Sequence, residues 1–226
     1  QRSYRALDGD ADLSPRNFKL ALRRLRRFAR EGAAEEFDLD ATIDATAREA
    51  MLDVKFRPER HNAIKVLLLL DIGGSMDDHV KVCEALFGAA RAEFKRLEHF
   101  YFHNFVYSSL WRDDRLRMRE RIATTDLLRR YNADYKVIFV GDAAMAPYEI
   151  THAGGGIDDF GGNEEAGEAW FRRIVAHFRK VVWLNPTPRD QWGYAMSNQM
   201  IRDLIEQRMY PLTPDGLTEA TRWLAK

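Results

Sequence analysis

Two aspartates stand where two strongly apolar stretches of the sequence come to an end. Asp71 directly follows the apolar residues 66–70, and Asp142 follows residues 137–140 after a single glycine. Such runs are typical of strands that are buried on both faces, as the central strands of a parallel sheet are. Ligands of open α/β sheets bind beyond the carboxyl ends of the strands. We therefore expect both carboxylates to face a binding site at that edge.

Two hydroxyl side chains accompany these carboxylates. Ser75 follows Asp71 by four residues, and Thr125 lies between the two predicted strands, at the start of a predicted short helix. Carboxylate, hydroxyl and water oxygens are the ligands that Mg²⁺ prefers, and the ion usually takes one or two carboxylates and keeps several waters. Asp71, Ser75, Thr125 and Asp142 therefore predict a divalent-metal site, with a water position that a partner's carboxylate can occupy.

The elements that must position these residues alternate between strand and helix. Apolar runs predict strands over residues 64–70, 98–106, 135–140 and 181–184, with a possible edge strand over 52–56. Periodic or capped segments predict helices over residues 14–30, 40–50, 77–97, 125–131, 164–178, 198–207 and 214–224. This alternation predicts an α/β domain over residues 61–226, with a doubly wound, mostly parallel sheet flanked by helices. Residues 1–60 form a predicted N-terminal helical extension.

The order of the candidate ligands resembles the metal-ion-dependent adhesion site (MIDAS) of von Willebrand factor A (VWA) domains. In that motif a strand is followed by Asp-x-Ser-x-Ser, a loop threonine and a second strand-ending aspartate. Here the motif is found as Asp71-x-Gly73-x-Ser75, Thr125 and Asp142. The resemblance implies a VWA-like fold.

Two C-terminal segments narrow the resemblance to the bacterial CoxE-like subfamily. They are Val-Trp-Leu-Asn-Pro over residues 182–186 and Tyr-Pro-Leu over residues 210–212, and the resemblance covers residues 64–224. It implies a protein-interaction module that is not an enzyme, that holds Mg²⁺ or Mn²⁺, and that binds an acidic residue of its protein partner. It also implies that this partner is a MoxR-type AAA+ ATPase, acting in chaperone-like maturation or remodelling of other proteins.

The motif departs from the family at Gly73, which stands where the family has its first serine. One hydroxyl ligand is therefore missing, and we expect a water to replace it with some loss of affinity. A metal-free scaffold with a degenerate site is the corresponding alternative. The loop lacks the Gly-Lys-[Ser/Thr] ending of a P-loop, so a nucleotide site is not expected.

Other functional classes have weaker support. An RNA-associated protein is suggested by the arginine-rich first helix, which carries Arg23, Arg24, Arg26, Arg27 and Arg30; phosphate contacts would make its binding strongly salt-dependent. We favour packing of this helix on the main domain, because its apolar stripe needs a partner. A metal-dependent hydrolase would turn over phosphoesters, but no general base is evident beside the predicted ligands.

Local structural roles compete with several of these assignments. Ser75 and Thr125 could serve only as helix caps, and His99 and His103 are expected to be structural. The acidic pairs at 158–159 and 164–165 are expected to lie in a solvated loop rather than to bind calcium.

The overall composition limits the possible partners. Lys plus Arg and Asp plus Glu both number 35, so no overall basic field attracts nucleic acid or an anionic membrane. The longest strongly apolar run, residues 66–70, is far shorter than the roughly 20 residues that span a bilayer. Cys83 is the single cysteine, which excludes an intramolecular disulfide and favours a cytoplasmic location.

Overall fold

The computed structural model describes residues 15–31, 35–49, 51–58, 64–72, 74–112, 121–156 and 164–225. Its strands are β1 (Glu35–Phe37), β2 (Phe56–Pro58), β3 (Lys65–Asp71), β4 (Arg96–Phe102), β5 (Ser109–Trp111), β6 (Arg121–Ala123), β7 (Lys136–Val140), β8 (Lys180–Asn185) and β9 (Met209–Pro211). Its α-helices are α1 (Pro15–Glu31), α2 (Leu39–Glu49), α3 (Val80–Glu93), α4 (Thr124–Arg130), α5 (Pro147–Thr151), α6 (Gly167–His177), α7 (Met196–Leu204) and α8 (Pro214–Ala225). Two 3₁₀ helices span Gly74–His79 and Arg189–Tyr194.

Seven strands form one mixed sheet in the order β6-β5-β4-β3-β7-β8-β9. The five strands from β4 to β9 in this order pair in parallel, whereas β5 and β6 add an antiparallel edge. Helices flank the sheet, so the predicted α/β fold with a mostly parallel sheet is confirmed. Among the described helices, none is both long and apolar enough to cross a membrane.

The central strand β3 is buried on both faces, and for this reason its sequence does not alternate between apolar and polar residues. Leu67 and Leu69 point into one hydrophobic layer, where they meet side chains of α4, α5, α6 and α7. Val66, Leu68 and Leu70 point into the layer on the opposite face, which α1, α3 and α8 cover. Because both faces are buried, every position from Val66 to Leu70 is apolar, and the polar residues Lys65 and Asp71 stand at the two ends of the strand.

Helix α1 is part of the second layer. Its apolar stripe, Phe18, Leu22 and Leu25, is fully buried, and the helix contacts α3 and α8. Arg23 donates a hydrogen bond to Glu93, and Arg24 donates one to Thr218. The predicted packing of this helix against the main domain is thus confirmed. The side chains of residues 26, 27 and 30 lie outside the described part of the chain.

Some predicted boundaries were wrong. The helix predicted over 77–97 is a 3₁₀ turn followed by α3, because the chain from Arg96 onward is needed as β4 to pair with β3. The strand predicted over 98–106 ends at Phe102, since the left-handed backbone of Asn104 (φ 58°) turns the chain. The predicted edge strand 52–56 lies later, as β2, and pairs with β1 in a separate two-stranded sheet.

Several short elements were not predicted at all. They are the strands β1, β5, β6 and β9, the helix α5 and the 3₁₀ helix Arg189–Tyr194. Each has only three to six residues, too few to show a periodic pattern.

Candidate metal centre

The structure brings Asp71 and Asp142 to the same edge of the sheet. Asp71 is the last residue of β3, and Asp142 lies two residues beyond the end of β7. The two strands are parallel neighbours, with Leu70 paired to Val140. Both aspartates are almost completely buried, with 5% and 4% of their surface exposed. Asp71 packs directly on Gly141, the residue before Asp142: a Cβ atom placed on this glycine would lie 3.1 Å from Asp71 Oδ2.

The electrostatics at this edge are unfavourable in the absence of a cation. Burial raises the pKa of Asp71 well above its ordinary value, and the negative charges of Asp142 and Glu149 raise it further. Hydrogen bonds from the backbone N–H groups of Asn104 and Ile72 act in the opposite direction. Buried carboxylates are costly unless a positive charge or a metal compensates them, so a cation suits this cluster.

The donor set fits a hard divalent cation that keeps water ligands. Within the described ranges, no three His, Cys, Asp or Glu side chains are arranged to hold a metal ion by themselves. A metal here would accordingly bind Asp71 and Asp142, with hydroxyl and water oxygens completing its shell. This is the ligand pattern that Mg²⁺ usually adopts, whereas Zn²⁺ sites are built from cysteine and histidine.

Both predicted hydroxyl ligands are exposed. Ser75 is exposed within the 3₁₀ helix that follows β3, and Thr125 is exposed in the first turn of α4. Neither caps a helix, as the N-cap residues of α3 and α4 are His79 and Ala123; the capping interpretation of both residues was therefore wrong. Gly73, which stands where the resembling motif has its first serine, lies outside the described residues.

The neighbouring Thr124 has a different role from Thr125. Its side chain is fully buried, and its hydroxyl donates a hydrogen bond to the carbonyl oxygen of Tyr107. Its backbone N–H donates to the carbonyl of Ser108. These bonds fix the start of α4, so that Thr125, the next residue, is available at the surface.

Asp71 is held by a residue that the sequence pattern does not reveal, Asn104, which is itself bonded to a second one, Glu149. Asn104 adopts a left-handed conformation, and its backbone N–H donates to Asp71 Oδ1 at 2.8 Å. Its side-chain Nδ2 donates at 2.8 Å to Oε2 of Glu149, of which only 3% is exposed. The second carboxylate oxygen, Glu149 Oε1, accepts the backbone N–H of Ala146 at 3.1 Å. The one available sequence signal was the position of Glu149. It lies three residues after Ala146, the N-cap of α5, and two residues after Pro147, which begins the helix; a glutamate at this position commonly bonds the N-cap backbone.

The loop that carries Asp142 is held by side-chain amides. Asn185 and Asn198 both donate to the carbonyl oxygen of Asp142, at 2.8 and 3.1 Å. Trp183 Nε1 donates at 2.7 Å to the carbonyl of Gly141. Trp183 and Asn185 belong to the Trp-Leu-Asn-Pro segment that suggested the CoxE-like resemblance. This segment therefore fixes the backbone of the loop that carries Asp142.

A cavity of about 340 Å³ opens beside Asp71 on the α3 side of the sheet. Its lining includes Met76, Phe87 and Cys83. Burial, together with the charge of Asp71, raises the pKa of the Cys83 thiol to about 12. The thiol is therefore neutral at physiological pH.

The remaining sequence candidates have structural explanations or fall outside the described residues. His99 packs edge-on against Phe87, with ring centroids 4.8 Å apart. His103 Nδ1 lies 2.7 Å from the carbonyl oxygen of Ile72. Glu165 forms an ion pair with Arg173. The acidic pair at 158–159 lies in a part of the chain that is not described.

Comparison with protein families gives one match. The model of the family "VWA domain containing CoxE-like protein" matches residues 11–109. The matched part includes Asp71, Ser75 and Asn104, whereas Thr125, Asp142 and Glu149 lie beyond it. No curated protein and no solved structure shows a significant match to the chain.

Proposed function

We propose that this chain, a VWA-domain protein of the CoxE-like family, binds its protein partner through a divalent metal ion. The family itself makes the chain a protein-interaction module in general terms. The proposal adds that the interaction depends on Mg²⁺ or Mn²⁺, that it serves binding rather than catalysis, and that it takes place in the cytoplasm.

The pair of buried aspartates is the observation that carries this proposal. Asp71 and Asp142 lie at one edge of the sheet with a third carboxylate, Glu149, close enough to act on Asp71. Removing such groups from water is expensive, and a metal ion is one of the few partners that compensates the cost. In the proposed site both aspartates bind the ion, and Ser75 and Thr125 supply hydroxyl oxygens from the exposed side.

The exposed side of the site is where the partner would bind. The metal supplies a positive charge that attracts an acidic side chain and accepts its oxygen as a ligand. The protein's own contribution is to keep Asp71 and Asp142 oriented and shielded from water, while Ser75 and Thr125 lie at the surface. We propose that the acidic side chain belongs to a MoxR-type AAA+ ATPase, and that the pair acts in maturation or remodelling of other proteins.

The test is calorimetric titration of chelator-stripped protein with Mg²⁺ and with Mn²⁺. We expect saturable binding of about one ion per chain, which Asp71→Asn and Asp142→Asn each abolish. Because these variants remove a buried charge but keep the side-chain shape, their free energy of unfolding in chelator should equal or exceed that of the wild type. Asp126→Asn is the matched control, since Asp126 is exposed and pairs only with Arg129 in the described structure.

Absence of binding at millimolar metal would contradict the metal site and favour the metal-free scaffold. If the metal binds, co-purification with the candidate ATPase in Mg²⁺ and in chelator tests the partner. We expect a complex in Mg²⁺ that is lost both in chelator and with Asp71→Asn. A complex that forms equally in chelator would show that the partner binds elsewhere.

A further inference from the structure

A hydrogen-bonded bridge connects Asp71 to helix α5. Asn104 donates its backbone N–H to Asp71 Oδ1 and its side-chain Nδ2 to Glu149 Oε2, both at 2.8 Å. We refer to Asn104 and Glu149 together as the Asn104–Glu149 bridge. It links the end of β3, the turn after β4 and the helix that follows the Asp142 loop. These are three separate segments of the candidate metal centre.

The far end of the bridge is rigidly held. Glu149 Oε1 accepts the N–H of Ala146, and the carbonyl oxygen of Glu149 accepts the hydroxyl of Tyr107 at 3.0 Å. Two glycines pack directly on the same residue. A Cβ atom on Gly155 would lie 2.8 Å from Glu149 Cα, and one on Gly167 would lie 2.9 Å from the Glu149 carbonyl oxygen. Glu149 therefore has little room to move, and its carboxylate gives Asn104 a fixed acceptor.

The near end of the bridge depends on the backbone of Asn104. Its φ of 58° lies in the left-handed region, which asparagine tolerates better than most residues. This conformation directs the N–H towards Asp71 while the side chain reaches Glu149. The bond from Asn104 Nδ2 to Glu149 thus selects one orientation of the turn, and that orientation sets the donor that Asp71 Oδ1 accepts.

We infer that Asn104 and Glu149 are positioning residues for metal binding: they hold Asp71 Oδ1, leaving the rest of the carboxylate to face the cation. This inference rests on the proposed function. Neither residue is assigned as a ligand. Groups that orient metal ligands through hydrogen bonds commonly change metal affinity by about 10–100-fold when they are removed.

Two substitutions interrupt the bridge with little other change. Asn104→Gly keeps the left-handed backbone and its N–H but removes the bond to Glu149. Glu149→Gln keeps the side-chain shape but removes the charged acceptor. The matched control is Gln207→Gly. Gln207 also has a positive φ (62°) and a side-chain hydrogen bond, but it lies just before the start of β9, the outermost strand on the β8 side of the sheet.

The experiment measures Mg²⁺ affinity by calorimetry for the wild type, both single variants, their double variant, Gln207→Gly and Asp71→Ala. We expect each single variant to weaken Mg²⁺ binding about tenfold or more. The double variant should be no weaker than the worse single variant, because both substitutions break the same bridge. Gln207→Gly should bind Mg²⁺ as the wild type does. A general loss of stability would not produce this non-additive pattern in affinity.

Each other outcome has a distinct meaning. Wild-type affinity in Asn104→Gly and Glu149→Gln, with binding abolished by Asp71→Ala, overturns the bridge and leaves the metal site intact. Additive losses in the double variant also overturn it, since they show two independent effects. If Asp71→Ala still binds Mg²⁺, or if the wild type does not bind it, the proposed function fails and the bridge has no metal to position.

Discussion

Gly141 is the position where a single methyl group should affect both stability and metal binding. It joins β7 to Asp142, and a Cβ atom there would lie 3.0 Å from Asp71 Cβ, 3.1 Å from Asp71 Oδ2 and 3.1 Å from Trp183 Cζ2. Ordinary contacts between such atoms are about 3.5–4.0 Å. Trp183 cannot easily yield, because it is fully buried and stacks on Phe139 with centroids 5.2 Å apart. We therefore expect Asp71 to move.

The magnitude follows from two opposing terms. Overpacking of a filled interior costs about 1–3 kcal/mol. Replacing glycine with alanine also reduces the conformational freedom of the unfolded chain, which stabilises the folded state by about 0.4–1 kcal/mol. We expect Gly141→Ala to lower the free energy of unfolding by about 1–2 kcal/mol, which corresponds to about 2–8 °C in Tm for a domain of this size. Mg²⁺ affinity should fall as well, since Asp71 is displaced.

Urea unfolding in chelator, followed by circular dichroism, measures the first effect, and calorimetry measures the second. Gly88→Ala is the control, because Gly88 lies inside α3 and a Cβ atom added there would meet no other atom within 4 Å. Alanine there should stabilise the protein by about 0.5–1 kcal/mol. If Gly141→Ala were as stable as Gly88→Ala, the added methyl group would not be overpacking the interior at Gly141. A destabilised variant with unchanged Mg²⁺ affinity would show that a residue other than Asp71 moves.

Two further predictions concern stability away from the metal centre. Burial lowers the pKa of the His99 imidazole, and the charges of Arg112 and Arg91 lower it further. As the pH falls, the imidazole is therefore protonated in the unfolded chain before it is protonated in the folded one. The free energy of unfolding should accordingly decrease as the pH drops below 6.5. Urea unfolding between pH 5 and 7 should show a weaker pH dependence in His99→Gln than in the wild type, and identical slopes would contradict the assignment. Gly216→Ala would place a Cβ atom 2.1 Å from the carbonyl oxygen of Pro211, so α8 must shift and the cost should exceed the roughly 3 kcal/mol of ordinary overpacking. Gly193→Ala, which meets no atom within 4 Å, should leave the urea midpoint nearly unchanged, and equal midpoints for both variants would refute this prediction.

The parts of the fold that could be predicted are those with a strong local pattern. The apolar residues 66–70 and 137–140 identified the two central strands, because both faces of each are buried. The helical repeat of Phe18, Leu22 and Leu25 identified α1 and its need for a partner surface. The end of the predicted helix at 97 was wrong because Arg96 pairs with Lys65, a contact that no local pattern encodes.

The same distinction applies to the candidate site. Asp71 and Asp142 could be found because each ends an apolar run, and this places an acid at a defined edge of the sheet. Glu149 and Asn104 could not, since they meet only through a turn with a positive φ and a hydrogen bond across 45 residues. The family resemblance pointed to the Trp-Leu-Asn-Pro segment, but not to the support that Asn185 gives to the Asp142 carbonyl.

The contact between α1 and α8 has a consequence for the order of folding. Helix α1 is made early, yet its buried stripe packs in the layer that also contains Leu217, Ala220 and Leu224 of α8. During synthesis α3 can cover part of this stripe, but the rest stays uncovered until α8 has left the ribosome. Contacts so distant in sequence slow folding and leave apolar surface exposed in the meantime. A nascent chain that is stalled before α8 should therefore be a better chaperone substrate than a chain that includes α8.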